Sequence, residues 1–150
     1  MNNFLVKIAL KFFKPKFVTV GIPVIIQNQK GEILLAKRNK NLASYPNYWG
    51  LPGGLMDYKE SPEESAKREI IEELGVKIKI LKRSKEIYNV VPTKENKIHG
   101  INIPFYAKII KGKPGPKDET QDIEWFKPSK IKKMKLAYTH NEILKKEKLI

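Results

Sequence analysis

The 150-residue chain contains no cysteine. Disulfide bonds, thiolate metal sites and cysteine nucleophiles are therefore excluded, and this composition fits a reducing compartment, so we predict a cytoplasmic protein. The chain also has no run of about 18 apolar residues, and we expect no membrane-spanning helix. With 41% hydrophobic and 31% charged residues, residues 1–150 are predicted to form one globular domain.

Arginine and acidic residues are scarce as well. Only three of the 30 basic residues are arginine, and 16 acidic residues leave a formal net charge of +14. A field of this sign favours anionic partners such as nucleotides, nucleic acid or an acidic membrane. Lysine is a poor bidentate ligand for phosphates and bases. Most of the excess positive charge is therefore interpreted as lysines on a solvated surface, and nucleic acid is not favoured as a partner.

The first 14 residues are predicted to form an amphipathic helix that ends before Pro15. Lys7 interrupts its apolar stretch, so a cleaved signal peptide is not expected. A basic amphipathic helix can lie on an anionic membrane, but packing on its own domain or on the partner subunit of a homodimer is favoured. The apolar residues with helical spacing are Leu5, Ile8, Ala9 and Phe12.

A second helix is predicted over residues 62–74. Ser61 suits the N-cap, Pro62 suits the first helical position, and Glu64 stands where a capping box places its glutamate. Gly75 is a typical residue just beyond a helix C-terminus. One face of this helix should be buried, and it carries Ala66, Ile70 and Leu74.

Three carboxylates lie on an adjacent face of the same helix. Glu69, Glu72 and Glu73 have the spacing at which like charges repel by a few tenths of a kcal/mol per pair. A hard divalent cation reverses that repulsion, since Mg²⁺ prefers carboxylate oxygens and keeps waters for a phosphate substrate. Arg68 precedes Glu72 by four residues and could orient it. The alternative is a glutamate-rich helix that is merely solvated.

The fixed positions in and before this helix resemble the Nudix box, the signature of the Nudix hydrolase superfamily. The match covers residues 54–76 only, but the motif is long and therefore highly specific. The lead-in residues Trp49, Leu51, Pro52 and Gly53 are also similar to those that usually precede the box. The matching positions are Gly54, Glu60, Arg68, Glu69, Ile70, Glu72, Glu73, Gly75 and Val76.

The resemblance implies an α/β fold, namely an α/β/α sandwich around a mixed sheet, whereas the pattern of elements alone leaves α+β and α/β open. Residues 17–27 and 32–37 are predicted to form a hairpin around the turn 28–31. Further strands are predicted over 76–91, broken near Arg83, over 101–110, where Pro104 suggests an edge or a bulge, and over 123–126. Thr139 resembles the start of another capping box, leading into a helix of about residues 140–149.

The resemblance also implies metal-dependent hydrolysis of the pyrophosphate bond in a nucleoside diphosphate joined to another group. Glu69, Glu72 and Glu73 would bind Mg²⁺ or Mn²⁺ as the cofactor, together with the backbone carbonyl of Gly53. Clustered carboxylates with a divalent metal suit the attack of water on a phosphoanhydride. In some family members the residue equivalent to Glu69 is also the candidate general base.

Supporting roles carry over at five positions. Arg68 would orient the glutamates and Glu60 would brace the box. The paired glycines Gly53 and Gly54 allow close backbone approach, as substrate binding requires. Arg38 falls where family members often place an arginine near the substrate phosphates, although a lone arginine is equally expected at the surface.

In many relatives the general base comes from a distant loop instead. Here the acidic loop with Asp118, Glu119 and Asp122 is the obvious source, and we favour Glu119 over the alternative that all three are solvated. The two histidines, His99 and His140, are interpreted as structural because neither belongs to a nucleophile or metal-ligand pattern.

The substrate is less well determined. Pro92, sixteen residues after Val76, and the stretch 136–140 resemble features of the ADP-ribose pyrophosphatases of this family, so ADP-ribose or a related nucleotide sugar is favoured. One alternative is the clean-up of nucleoside triphosphates with the same metal chemistry. Another, motivated by the +14 charge, is a non-catalytic Nudix fold that binds RNA. The side chains of Tyr45, Tyr48 and Trp49 could stack on a base, with internal packing as the alternative.

Overall fold

The computed structural model describes residues 18–150, which contain nine strands and three helices. The strands are β1 (Thr19–Ile26), β2 (Ile33–Arg38), β3 (Trp49–Gly50), β4 (Gly53–Leu55), β5 (Lys77–Arg83), β6 (Tyr88–Val90), β7 (Gly100–Asn102), β8 (Phe105–Lys111) and β9 (Thr120–Phe126). The helices are α1 (Pro62–Leu74), α2 (Pro128–Ile131) and α3 (His140–Lys146). Within this range no helix has the length and hydrophobicity needed to cross a membrane. The helix predicted for residues 1–14 lies outside the described residues.

Strand β1 is the centre of a mixed sheet with the order β5-β8-β1-β7-β6, and β4 also pairs with it. The first half of β1 runs parallel to β7 and the second half runs parallel to β8. The prediction of one strand over residues 101–110 is therefore wrong. The chain leaves β7 at Ile103, whose N–H donates to the Gly21 carbonyl, and Pro104, which has no N–H to donate, separates the two pairings. The predicted break after Arg83 is confirmed between β5 and β6.

Both strands of the predicted hairpin are present, as β1 and β2, but they pair with each other only at the turn. Asn28 accepts hydrogen bonds from the backbone N–H groups of Lys30 and Glu32, which closes the turn as expected. Beyond the single bridge between Gln27 and Ile33, β2 leaves β1 and pairs with β3 and β9 in a three-stranded sheet. The prediction fails because an apolar strand signals burial but does not specify its partner.

Two apolar cores pack on opposite faces of the central strands. Val24 points into the core beneath α1, whereas the next residue, Ile25, points into the core shared with α2 and α3. This alternation is what a strand buried on both faces requires. The side chains that α1 contributes are the three predicted, and all are fully buried: Ala66, Ile70 and Leu74. The α/β sandwich around a mixed sheet is thus confirmed.

The two helix starts differ in how far they follow their sequence signals. At α1, Ser61 and Glu64 form the predicted reciprocal capping box, and Gly75 adopts φ 69° at the C-terminal end. At α3, Thr139 is the N-cap but makes no side-chain capping hydrogen bond, so the second capping box is wrong. The Thr139 hydroxyl instead accepts a hydrogen bond from the Asn102 amide at 3.1 Å. Helix α3 also ends earlier than predicted, at Lys146.

Glu147, just beyond α3, attaches the C-terminal segment to the sheet. Its carboxylate accepts hydrogen bonds from the hydroxyls of Ser84, Tyr88 and Tyr106. Burial opposes the ionisation of Glu147, but these three donors outweigh it and hold the pKa of Glu147 below its ordinary value. Burial and the adjacent carboxylate raise the pKa of Tyr88 to about 12.

We expect the substitution Glu147→Ala to lower the free energy of unfolding by roughly 2 kcal/mol, because it removes a charged acceptor from three hydroxyl donors. Glu142→Ala is the matched control: Glu142 lies on α3 but forms only an exposed ion pair with Lys146, which is worth less than about 1 kcal/mol. Urea denaturation measures both effects. Equal effects of the two substitutions would contradict the stabilising role of Glu147.

His140 attaches the start of α3 to the chain between β3 and β4. Its ring is buried, and Nδ1 accepts a hydrogen bond of 2.9 Å from the backbone N–H of Leu51. Burial, followed by the charge of Arg38, lowers the pKa of His140 to about 3. The neutral ring is therefore the form that the folded chain stabilises, which agrees with the structural role predicted for this residue.

Acid should therefore destabilise the fold through His140. In the unfolded chain a histidine takes up a proton near pH 6.5, so this contribution to stability is complete above that pH and is lost as the pH falls toward 3. At about pH 4.5 the loss is roughly 2–3 kcal/mol. In urea denaturation, His140→Gln should lose less stability than the parent protein between about pH 7 and about pH 4.5.

The matched control for this experiment is His99→Gln, because His99 is exposed. That variant should keep the pH dependence of the parent. If His140→Gln lost stability as steeply as the parent, the acid sensitivity would belong to other groups.

Candidate active site

A cavity of about 630 Å³ is bounded by β1, the box loop and the loops that follow β2, β6 and β8. It brings together residues far apart in sequence, including both predicted box glycines. Its charged lining is divided between acids and cations. The acids are Glu69, Glu73, Asp118 and Glu119, and the cations are Lys37, Arg38 and Lys97.

Glu69 projects from α1 toward the floor of this cavity and is only 6% exposed. Its carboxyl group lies against Gly54, where any larger residue would place its Cβ on the carboxylate. Arg68 Nη1 donates to Glu69 Oε1 at 2.8 Å. Burial raises the pKa of Glu69 above its ordinary value, with the charge of Glu72 acting in the same direction, although Arg68 opposes both. The box thus holds a desolvated carboxylate that a nearby cation would stabilise.

Glu73 lies one turn further along α1 and faces the same cavity. Its Oε2 accepts a hydrogen bond of 2.9 Å from the Gly53 N–H. Burial is the main reason that the pKa of Glu73 is raised to about 8, and the charges of Glu69 and Asp118 add to it. Gly53 reaches this position with φ +130°, and a Cβ there would collide with the Ile22 carbonyl. A residue other than glycine is therefore excluded at this point of the loop.

Arg68 ties the box loop to α1. It donates to both oxygens of Glu60, at 2.6 and 2.9 Å, and to the Leu55 carbonyl at 3.1 Å. Its third nitrogen, Nη1, reaches Glu72 at 3.2 Å as well as Glu69. These contacts hold Arg68 and Glu60 together between the box loop and α1. Glu72 itself is exposed and does not line the cavity.

The three box glutamates fit a divalent metal in their chemistry but not yet in their arrangement. Their donor chemistry fits, because they offer carboxylate oxygens whose mutual repulsion a cation relieves. Their arrangement is not yet that of a closed site: in residues 18–150 no three acidic or histidine side chains are grouped to hold a metal ion. Glu72 is engaged by Arg68 and Glu73 by Gly53, so a metal would compete with these two donors.

Arg38 also lines the cavity, at the end of β2, where the pairing with β9 shifts register. Its Nε and Nη2 donate to the Ser44 carbonyl at 3.0 and 2.9 Å. Its positive charge opposes the rise in the pKa of Glu73. Arg38 is therefore part of the cavity wall and electrostatically coupled to the acids.

The acidic loop is divided by the fold. Asp118 and Glu119 line the cavity, whereas Asp122 lies outside it, in β9, where its carboxylate accepts the N–H of the next residue. The loop is fixed to the end of α1, since the backbone N–H of Lys117 donates to the Glu73 carbonyl at 2.9 Å. No local signal in the sequence separates Asp122 from the other two acids.

Aromatic residues near the cavity divide between packing and lining. Trp49 packs against Phe126, with ring centroids 4.9 Å apart, so its contact is internal. Tyr138 lines the cavity and packs against Tyr45. In the sequence, the stretch 136–140 was indicated only by its resemblance to the ADP-ribose pyrophosphatases of the family. Asn102, which also lines the cavity, carried no signal in the sequence.

The sequences of known proteins match most of this chain. The NUDIX domain family matches residues 17–146. An ADP-ribose pyrophosphatase of Methanocaldococcus jannaschii is 32% identical over 126 residues, which are 84% of this chain and 70% of that protein. A Bacillus subtilis protein provisionally named 8-oxo-dGTP diphosphatase is 33% identical over 120 residues, which are 75% of this chain and 69% of that protein.

Other relatives match over shorter segments or in structure. Four further curated relatives are matched over 38–41% of this chain, which spans only 20–34% of their own length. The crystal structure of a MutT protein from Methanosarcina mazei superimposes with a TM-score of 0.70 at 26% identity, covering 87% of this chain and 95% of that one. With the family matched from residue 17 to residue 146, the chain belongs to the Nudix hydrolase family.

Proposed function

We propose that this Nudix hydrolase cleaves the pyrophosphate bond of nucleoside diphosphate derivatives in a reaction that depends on Mg²⁺ or Mn²⁺, and that ADP-ribose or a related nucleotide sugar is its substrate. The observation that carries this proposal is that one cavity is lined by Glu69, Glu73, Gly53 and Gly54 together with Arg38. The paired acids suit a cation, and the arginine suits a phosphate.

Within this proposal Glu69, Glu72 and Glu73 hold the metal. When bound, the metal neutralises phosphate oxygens and lowers the pKa of a coordinated water. Arg68 orients Glu69 and Glu72 through one nitrogen, Nη1, that contacts both. The glycines let the loop pack closely on the Ile22 carbonyl and the Glu69 carboxylate, because a side chain at either position would collide with these groups.

The choice of ADP-ribose is supported by the site and by a relative. A cavity of about 630 Å³ lies within the range of about 300–1,000 Å³ typical of small-molecule sites. Tyr138 and His140, from the stretch that resembles ADP-ribose pyrophosphatases, line it, and the Methanocaldococcus jannaschii relative bears that name. Pro92, the other cue, is exposed and lies outside the cavity lining, so it adds nothing to the choice.

Hydrolysis of nucleoside triphosphates is the second candidate. It is favoured by the Bacillus subtilis relative and needs the same acids. A non-catalytic RNA-binding role is weaker, because the glutamates of the box are all present and two of them face the cavity.

A panel assay separates these functions. With Mg²⁺ present, we expect ADP-ribose to be hydrolysed to a nucleoside monophosphate and a second phosphorylated product, faster than nucleoside triphosphates, and a chelator should abolish the reaction. Preference for a triphosphate would select the second candidate. Inactivity across the whole panel, together with tight RNA binding, would exclude both hydrolases.

Removing one carboxylate from the site tests the role of the box. Glu73→Gln keeps an oxygen that can accept the Gly53 N–H but can no longer ionise to bind a cation, and we expect kcat to fall roughly a hundredfold or more. Glu63→Gln is the matched control, since Glu63 is an exposed glutamate on the same helix. Full activity of the Glu73 variant, measured in the same assay, would remove Glu73 from the mechanism.

The acidic loop supplies the proposed general base, Glu119. We expect Glu119→Gln to lower kcat by about a hundredfold or more, whereas Asp122→Asn should have little effect because Asp122 lies outside the cavity lining. Asp118→Asn completes the series. A larger loss at Asp118 than at Glu119 would transfer the role to Asp118.

A further inference from the structure

The surroundings of Arg38 are more elaborate than a surface arginine needs. Two of the five N–H donors of a guanidinium are directed at one carbonyl, that of Ser44. Arg38 Cζ also lies over the Tyr138 ring, 5.1 Å from its centre. The guanidinium is therefore held both by hydrogen bonds and by a cation–π contact with an aromatic ring.

Two aromatic residues with unusual backbone conformations create this arrangement. Tyr138 and Tyr45 have φ 51° and 49°, in the left-handed region that bulky residues rarely adopt. Their rings pack on each other with centroids 4.8 Å apart, so the ring of Tyr45 supports the ring of Tyr138. Such backbone strain persists only where the surrounding structure imposes it, and it is frequent at ligand sites.

The pair is anchored on both sides. The Tyr45 N–H donates to the Glu95 carbonyl at 3.3 Å, which joins it to the loop between β6 and β7. The ring of Tyr138 packs on His140 with centroids 5.7 Å apart, and His140 is itself held by Leu51. A change in the position of Tyr138 would therefore have to move two other segments of the fold.

Packing alone does not account for this arrangement. Tyr138 lines the cavity together with Arg38 and Glu73, so the guanidinium that it covers lies in the space proposed for the diphosphate. A guanidinium that is already held by contact with an aromatic ring loses less conformational freedom when a phosphate binds. Affinity for the phosphate should therefore depend on the ring of Tyr138 even though the ring itself need not touch the phosphate.

We propose that Tyr138, supported by Tyr45, is a positioning residue that holds the Arg38 guanidinium ready for a phosphate group of the substrate. This inference rests on the proposed function, since it assumes that the cavity receives a diphosphate. It assigns a role to two residues outside the Nudix box, of which Tyr138 lies 100 positions after Arg38 in the sequence.

A double-mutant cycle tests the inference. Tyr138→Leu removes the ring but keeps a side chain at the strained position, and it should raise KM for ADP-ribose about tenfold with a smaller change in kcat. Tyr138→Phe keeps the ring face and should recover most of that loss. In the Arg38→Ala background, Tyr138→Leu should have no further effect on KM. Tyr58→Leu is the control, because Tyr58 is 76% exposed and lies over Lys59, outside the cavity lining.

The outcomes separate positioning from simple packing. Equal losses from Tyr138→Leu with and without Arg38 would show that the ring supports the fold rather than the arginine, and would overturn the inference. So would a Tyr138→Leu variant with the KM of the parent. Thermal unfolding of each variant identifies any protein that fails to fold, in which case the cycle is repeated with Tyr138→Met, which keeps more of the side-chain volume.

A binding measurement keeps this test independent of the proposed reaction. The same four proteins of the cycle are titrated with inorganic pyrophosphate in a calorimeter, and the affinity should follow the same pattern as KM. If no nucleotide of the panel is hydrolysed, the proposed function fails, yet pyrophosphate binding still decides the role of Tyr138. Absence of pyrophosphate binding by the parent protein would overturn the inference as well.

Discussion

The site depends on one guanidinium shared among several carboxylates. Arg68 is in contact with Glu60, Glu69 and Glu72, and lies 3.7 Å from Asp57. Glu69 is desolvated, and a buried carboxylate without a partner costs several kcal/mol. Because the Arg68 guanidinium also donates to the Leu55 carbonyl, the same side chain neutralises the acids and fixes the glycine loop against α1. A lysine could supply the charge at this position but not the several directed donors.

Local signals in the sequence predicted local structure well. Helix α1 begins and ends where its capping box and glycine place it, since those interactions span only a few residues. Pairing between strands depends on contacts distant in the chain, and there the pattern was insufficient. Residues 101–110 proved to be two strands, and β2 joined β9 rather than β1. An apolar run specifies burial, but its partner is decided by the whole sheet.

The same division holds within the site. Resemblance to a family motif predicted that the box glutamates and Gly53 act together, and Glu69, Glu73 and Gly53 do line one cavity, because the motif lies on one loop and one helix. It carried no information on how Arg38 meets Tyr138, since the contact joins two loops through the fold. Likewise, the fold separates three acids that look equivalent in the sequence. Asp122 lies within β9, outside the cavity that Asp118 lines.

The attachment of the acidic loop to α1 has a consequence for motion. The backbone N–H groups of Gly115 and Lys117 donate to the carbonyls of Leu74 and Glu73, respectively, at the last turn of the helix. The segment that bears the proposed proton acceptor is thus coupled to the helix that bears the proposed cation ligands, and any displacement of one should carry the other with it. Main-chain contacts maintain the spacing between the acidic loop and α1. Side chains in the turn that precedes the loop can therefore vary without changing this spacing.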